Sequence, residues 1–351
     1  MAARPRPDGG TALDWAQLGD EELLKLRIRD LGLRIEGTEL EARVAQLYGE
    51  LETRGLRRFR PRVYLGDEWF SPEDVPSISI PFYLAHPRLK ALEKAFMLEV
   101  EGGTEAWCMK LLRHESGHCF DHAYRISRRP KWRRLFGSPS DEYDPDTYRP
   151  RPYSRSYVRH LENWYAQAHP DEDFAETFAV WLDPASDWRV RYARWTAALD
   201  KLTYVDELGR HLSEVEPPVK DGPHTCAASR MTTTLEHFYR RKIREAREDY
   251  PDFFDADLRR IFDGRPDLPQ KEFGASRFLQ RHRRRIVDVV SGWTGEKKYA
   301  INALVRKLTL RCQENGLKLG RSDSETNLEL AAYLATLVTH HLFTGRFKRT
   351  V

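Results

Sequence analysis

Cysteine is scarce. Four residues in 351, Cys108, Cys119, Cys226 and Cys312, stand far apart with no C-x-x-C pair. That excludes a disulfide-dense scaffold and a cysteine-built structural zinc site, and it fits a reducing cytoplasm. Cys108 and Cys119 are expected to pack as small hydrophobes. No apolar run approaches the length of a membrane span, so no membrane partner is expected. The first ten residues are polar, and no apolar stretch follows their arginines, so no secretory signal is expected. Charge of one sign is also missing. Lys and Arg number 58 against 54 Asp and Glu, which leaves +4 and disfavours nucleic acid as the main partner.

What is present is a globular composition, 40% hydrophobic and 32% charged, long enough for two domains. One stretch carries chemistry: Leu111-Leu112-Arg113-His114-Glu115-Ser116-Gly117-His118. It reads as the middle of a helix running from about 104 to 127. His114 and His118 are four apart, so a helix sets both imidazoles on one face, one turn apart, as two ligands of one zinc ion require. Glu115 lies beside them, where a carboxylate can take a proton from an activated water and hand it to a leaving amine. This is the H-E-x-x-H pattern of zinc metallopeptidases. Chance alone yields it in about one chain in a hundred of this length, so a second element is needed.

The second element is the run from Tyr165 to Phe178. His169-Pro170 followed by acids is a helix start. On that helix Glu172 and Glu176 share one face, while Phe174, Phe178, Trp181 and Leu182 share the opposite, core-facing one.

Together these stretches resemble the gluzincin metallopeptidases. The E-x-F-A-E run resembles the anthrax lethal factor branch and its bacterial relatives, and the run from Tyr165 to Leu182 is similar to that of bacterial zinc-binding metallopeptidases with no assigned substrate. The resemblance covers about 104–183. It implies a zincin-like fold and a Zn2+ cofactor held by His114, His118 and Glu172. It further implies Glu115 as general base, Tyr165 as a donor to the oxyanion, and Glu176 as the acid that orients the first histidine. Peptide or protein substrates follow from it. The long insert 127–163 departs from the family pattern, so substrate preference does not carry over. The alternative is a zincin-like module that recognises a partner without catalysis.

Along the chain, residues 1–13 are expected to be disordered. Amphipathic helices are expected near 20–30 and 38–53, and a short strand near 63–65. The alternation in 75–84 reads as a strand, and Pro81 inside it argues for a sheet edge, either a plain one or one that pairs with extended substrate. A helix is expected over 87–98. His122 falls too far along the helix axis from His114 to share its ion, about 12 Å, and is read as packing or as support for the ligands. The insert, rich in Arg, Pro and Tyr, reads as an ordered loop on the cleft rim. Its Arg149, Arg151 and Arg155 face either acidic substrate or plain solvent. The proline-rich 216–223 reads as a linker. Beyond it the text is helical, without strand patterns, and one helix carries the basic run 281–285. The expectation is therefore an α+β fold: a zincin-like catalytic domain over 14–215, a linker over 216–230 and a mainly helical domain over 231–351.

Overall fold

A computed structural model describes residues 14–142, 149–245, 254–262 and 271–344. The expected disordered start, 1–13, lies outside them. In chain order the elements are α1 (Asp20–Leu24), α2 (Glu39–Thr53), β1 (Arg62–Gly66), β2 (Ser77–Pro81), α3 (Pro87–Met97), α4 (Glu105–Tyr124), α5 (Pro130–Phe136) and α6 (Pro170–Leu182). They continue with α7 (Trp188–Arg191), α8 (Thr196–Leu212), α9 (Leu235–Glu245), α10 (Asp255–Phe262), β3 (Lys271–Gly274), α11 (Ala275–Thr294), α12 (Lys298–Glu314), β4 (Lys318–Leu319) and α13 (Asp323–Thr344). The architecture is mixed and mostly helical, with one small parallel sheet, which is consistent with an α+β class.

Two apolar clusters organise these elements. The first runs from Leu23 to Tyr239 and is built around α4, α6, α8, β1 and β2. The second runs from Phe254 to Val338 and lies among α10 to α13. Leu235, Phe238 and Tyr239 of α9 belong to the first cluster. Its packing therefore continues past the proline-rich stretch expected to be a linker.

The same contact explains why no single helix covers 20–30. Ile28 N–H donates to Thr233 O, Arg29 N–H to Met231 O, and Leu235 N–H to Leu26 O. That pairing holds Arg27 extended, so α1 ends at Leu24 and a 3-10 turn follows at Ile28–Leu31.

β1 and β2 pair in parallel, Arg62 with Ser77 through Gly66 with Pro81. All five residues of β2 are buried. Ser79 N–H donates to Phe70 O on the side away from β1. Phe70 bridges this edge at one position, Ser79, and both readings of the edge, plain or pairing with extended substrate, stand. Pro81 has no N–H to continue the ladder, and a 3-10 turn, Phe82–Ala85, takes over.

Two further corrections concern composition. The insert is not loop throughout, because α5 forms over Pro130–Phe136 with Pro130 in its first turn. Trp132 and Phe136, one turn apart, are buried against Phe174 of α6. The C-terminal region is not wholly helical either. β3 and β4 pair antiparallel, in segments of four and two residues that are too short to show a period-two pattern.

Candidate metal centre

α4 starts at the Thr104 cap, whose hydroxyl accepts from Trp107 N–H, and carries the motif through its middle. α6 starts at the His169 cap. There the ring Nδ1 accepts from Asp171 N–H, while Nε2 donates to Asp141 O at 3.0 Å. The two helices approach as closely as their backbones allow. A Cβ placed on Gly117 would lie 2.6 Å from Ala175 Cα and 3.0 Å from Ala175 O. Only a glycine fits there, and Ala175 keeps the facing surface small. Ala175 sits between Glu172 and Glu176, so this close approach brings both carboxylates against the histidines.

His114 Nε2 lies 3.0 Å from Glu172 Oε2, His118 Nε2 lies 3.3 Å from the same oxygen, and the two Nε2 atoms are 3.2 Å apart. Three ligand atoms held about 2.0–2.2 Å from one tetrahedral ion stand about 3.3–3.6 Å from each other, a little wider than the spacing here. The residues therefore fit a zinc ion by spacing and by donor type. Among the described residues, His114, His118 and Glu172 are the one cluster able to hold a metal.

The partners around the cluster set its protonation. Glu176 Oε1 is 2.9 Å from His114 Nδ1, and its Oε2 accepts from Leu161 N–H at 2.8 Å. With Nδ1 facing Glu176, His114 presents Nε2 to Glu172 and His118. Burial opposes the imidazolium of His114, but Glu172 and Glu176 outweigh it and raise the ring well above the ordinary histidine value. His118 is raised as well, burial again opposing and Glu172 prevailing. Burial would lift Glu172, yet His118 and His114 hold its carboxylate well below the usual range. The two imidazoles can exchange their protons for a cation, and Glu172 is already ionised.

Glu115 follows His114 and is buried, and its Oε2 has no hydrogen-bond partner among the described residues. Burial pushes its carboxyl up, against the pull of His114 and His118. The ring of Tyr165 lies 5.7 Å from that of His114. Tyr165 opens a 3-10 turn, Tyr165–Gln167, entered through two consecutive left-handed residues, Asn163 at φ 56° and Trp164 at φ 53°. Asn tolerates that region and Trp does not, at a cost of about 1–3 kcal/mol. His122 stays outside the metal cluster, its Nδ1 3.3 Å from Ser71 Oγ.

Several supports were not anticipated from the sequence. Lys201 of α8 reaches Asp173 Oδ2 at 2.5 Å and Ser156 O at 2.9 Å, tying the first turn of α6 to the insert. Arg113 donates two hydrogen bonds to Glu50 at 2.7 Å each and lies 3.3 Å from Asp183, joining α2, α4 and the end of α6. His160 Nε2 donates to Lys110 O, and Lys110 Nζ donates to His160 O, which clamps the chain beside Leu161. Arg149, Arg151 and Arg155 of the insert are exposed, and the backbone of Arg151 is tied to the Gln167 side chain, beside Tyr165.

No helix of the described residues is long and apolar enough to cross a membrane. No curated protein and no solved structure matches the chain. Residues 109–218 match the model of a family described as "Putative zinc-binding metallo-peptidase". That span contains the H-E-x-x-H motif, the insert and α6. Taken with the convergent donor atoms, the match supports a zinc metallopeptidase family.

Proposed function

We propose that the protein is a zinc-dependent peptidase of the gluzincin kind, with a zincin-like catalytic unit, acting on peptide or protein substrates. The observation that carries this reading is the convergence of His114 Nε2, His118 Nε2 and Glu172 Oε2 within 3.0–3.3 Å of one another, next to an unbonded Glu115 oxygen. A zinc ion held there supplies Lewis acidity, polarising a scissile carbonyl and lowering the pKa of water. The remaining work falls to side chains. Glu115 accepts the proton of the attacking water and delivers it to the leaving amine, and burial suits it to both steps by raising its carboxyl. Tyr165 donates to the carbonyl oxygen as negative charge builds on it. Glu176 keeps His114 in the tautomer that leaves Nε2 free to bind. Resemblance to the lethal factor branch rests on the Glu172–Glu176 run and on Tyr165.

The catalytic unit of this proposal extends through α9, since Leu235, Phe238 and Tyr239 complete its core. The helices from α10 onward form a second unit.

The test is cleavage of a peptide library by wild type and by Glu115→Gln. Glutamine keeps the shape but cannot accept the proton. Turnover should fall roughly 10²–10⁴-fold with zinc content unchanged. Equal cleavage by the two proteins would remove Glu115 from the mechanism. Absence of cleavage by either, with identical effects in cells, would favour a recognition module.

A further inference from the structure

The turn between α11 and α12 touches the first unit at two places. Asn163 Nδ2 donates to Gly295 O at 3.2 Å. Lys298 N–H, in the first turn of α12, donates to Glu99 Oε1 at 3.1 Å. Asn163 belongs to the left-handed pair that leads directly into Tyr165. Glu99 lies just ahead of the turn that opens α4, and its carboxylate caps the positive end of α12.

The fit at the first contact is close. Gly295 ends α11 at φ 72°, and a Cβ there would stand 2.4 Å from Asn163 Oδ1. The turn has its own bracing: Ser291 Oγ donates to Glu296 O, and Glu296 N–H donates to Thr294 Oγ1. A braced turn thus presents one carbonyl to the residue that begins an unfavourable backbone step. Sterically costly steps persist where neighbouring structure over-determines them. The insert holds the far side of the same step. Arg159 lies over the Trp164 ring, and Gln167 is bonded to the Arg151 backbone.

We infer that the C-terminal helical unit acts as a latch on the catalytic unit: the α11–α12 turn, through Asn163, holds the Asn163–Trp164 step and so sets the position of Tyr165. Asn163 is a positioning residue and has no role with the metal. The inference deepens the hydrolase reading, in which Tyr165 is the oxyanion donor, but the mechanical link does not depend on it.

The experiment uses the full-length, zinc-loaded chain with Asn163→Asp and, separately, Glu99→Ala. Aspartate keeps the volume and the tolerance for left-handed backbone but loses the N–H that bonds Gly295 O. Glu99→Ala releases the other end of the turn without touching the segment. Amide hydrogen exchange over 161–168 should accelerate about tenfold or more in both, while α4 and α6 keep wild-type protection and zinc content stays the same. Wild-type exchange over 161–168 in both variants overturns the latch, as does an equal acceleration spread over α4 and α6. With a cleavable peptide, Asn163→Asp should lower kcat about tenfold at nearly constant KM, and should add nothing in a Tyr165→Phe background. A full additional loss in that background means Asn163 does not act through Tyr165 and overturns the inference. If wild type cuts no peptide, the hydrolase reading fails while the exchange data still decide the latch.

Discussion

The two halves of the molecule bury different things. Around the first apolar cluster the described residues bury Glu50, Arg113, His114, Glu115, His160, Glu172, Asp173, Glu176 and Lys201, among other polar groups. Around the second, the buried polar side chains are Thr294, Thr309 and Thr326, each bonded to a carbonyl of its own helix or of its cap. Burying charge is costly unless it is paired, and paired charges stabilise a fold less well than hydrocarbon of the same volume. The second half buries hydrocarbon with only threonine hydroxyls as its buried polar side chains among the described residues. The first half carries buried ionisable groups, and two of them, His114 and Glu172, converge on one point with the partly buried His118. The contrast singles out the same residues as the motif does.

The contrast is sharpest under substitution. Lys201→Met leaves Asp173 buried without its partner, and breaking such a pair costs about 3–5 kcal/mol. Because Asp173 adjoins Glu172, zinc retention should weaken as well. In the other half, Leu304→Ala removes a fully buried side chain and should cost about 2–5 kcal/mol with zinc content unchanged. Chemical denaturation paired with metal analysis checks both. Zinc loss in Leu304→Ala and none in Lys201→Met would break the comparison.

A smaller effect concerns pH. In the metal-free protein His114 and His118 titrate above the ordinary histidine value. A group raised on folding contributes stability that is complete below its unfolded value and is lost as pH rises through the folded one. The metal-free fold should therefore lose this contribution as pH rises through the raised histidine values. Zinc has the opposite dependence, since it must displace those protons, so its affinity should increase as pH rises across and just above the histidine range. Each proton displaced should strengthen binding about tenfold per pH step of one, or about 1.4 kcal/mol. Competition with a chelator at several pH values measures this, and an affinity flat with pH would contradict it.

The helices of the candidate site were legible because their signals are local. A histidine pair at i, i+4 and a glutamate pair at i, i+4 declare faces of helices, and Thr104 and His169-Pro170 declare starts. Elements that depend on distant partners were not legible. The break near Arg27 is imposed by pairing with Met231 and Thr233, some two hundred residues away. α5 is hidden in a stretch whose Arg, Pro and Tyr content reads as loop, although Trp132 and Phe136 are spaced for burial. α9 follows a proline-rich stretch, yet its apolar face completes the first core. The close approach of Gly117 to Ala175 and the contact of Asn163 with Gly295 are visible only once the helices have been packed.

The central claim is that His114, His118 and Glu172 form one zinc site. Its most direct test is the metal content of protein purified without chelator, measured by mass spectrometry for wild type and His118→Ala. The account predicts about one zinc per chain in wild type and nearly none in the variant. Full zinc in both would place the metal elsewhere and contradict it.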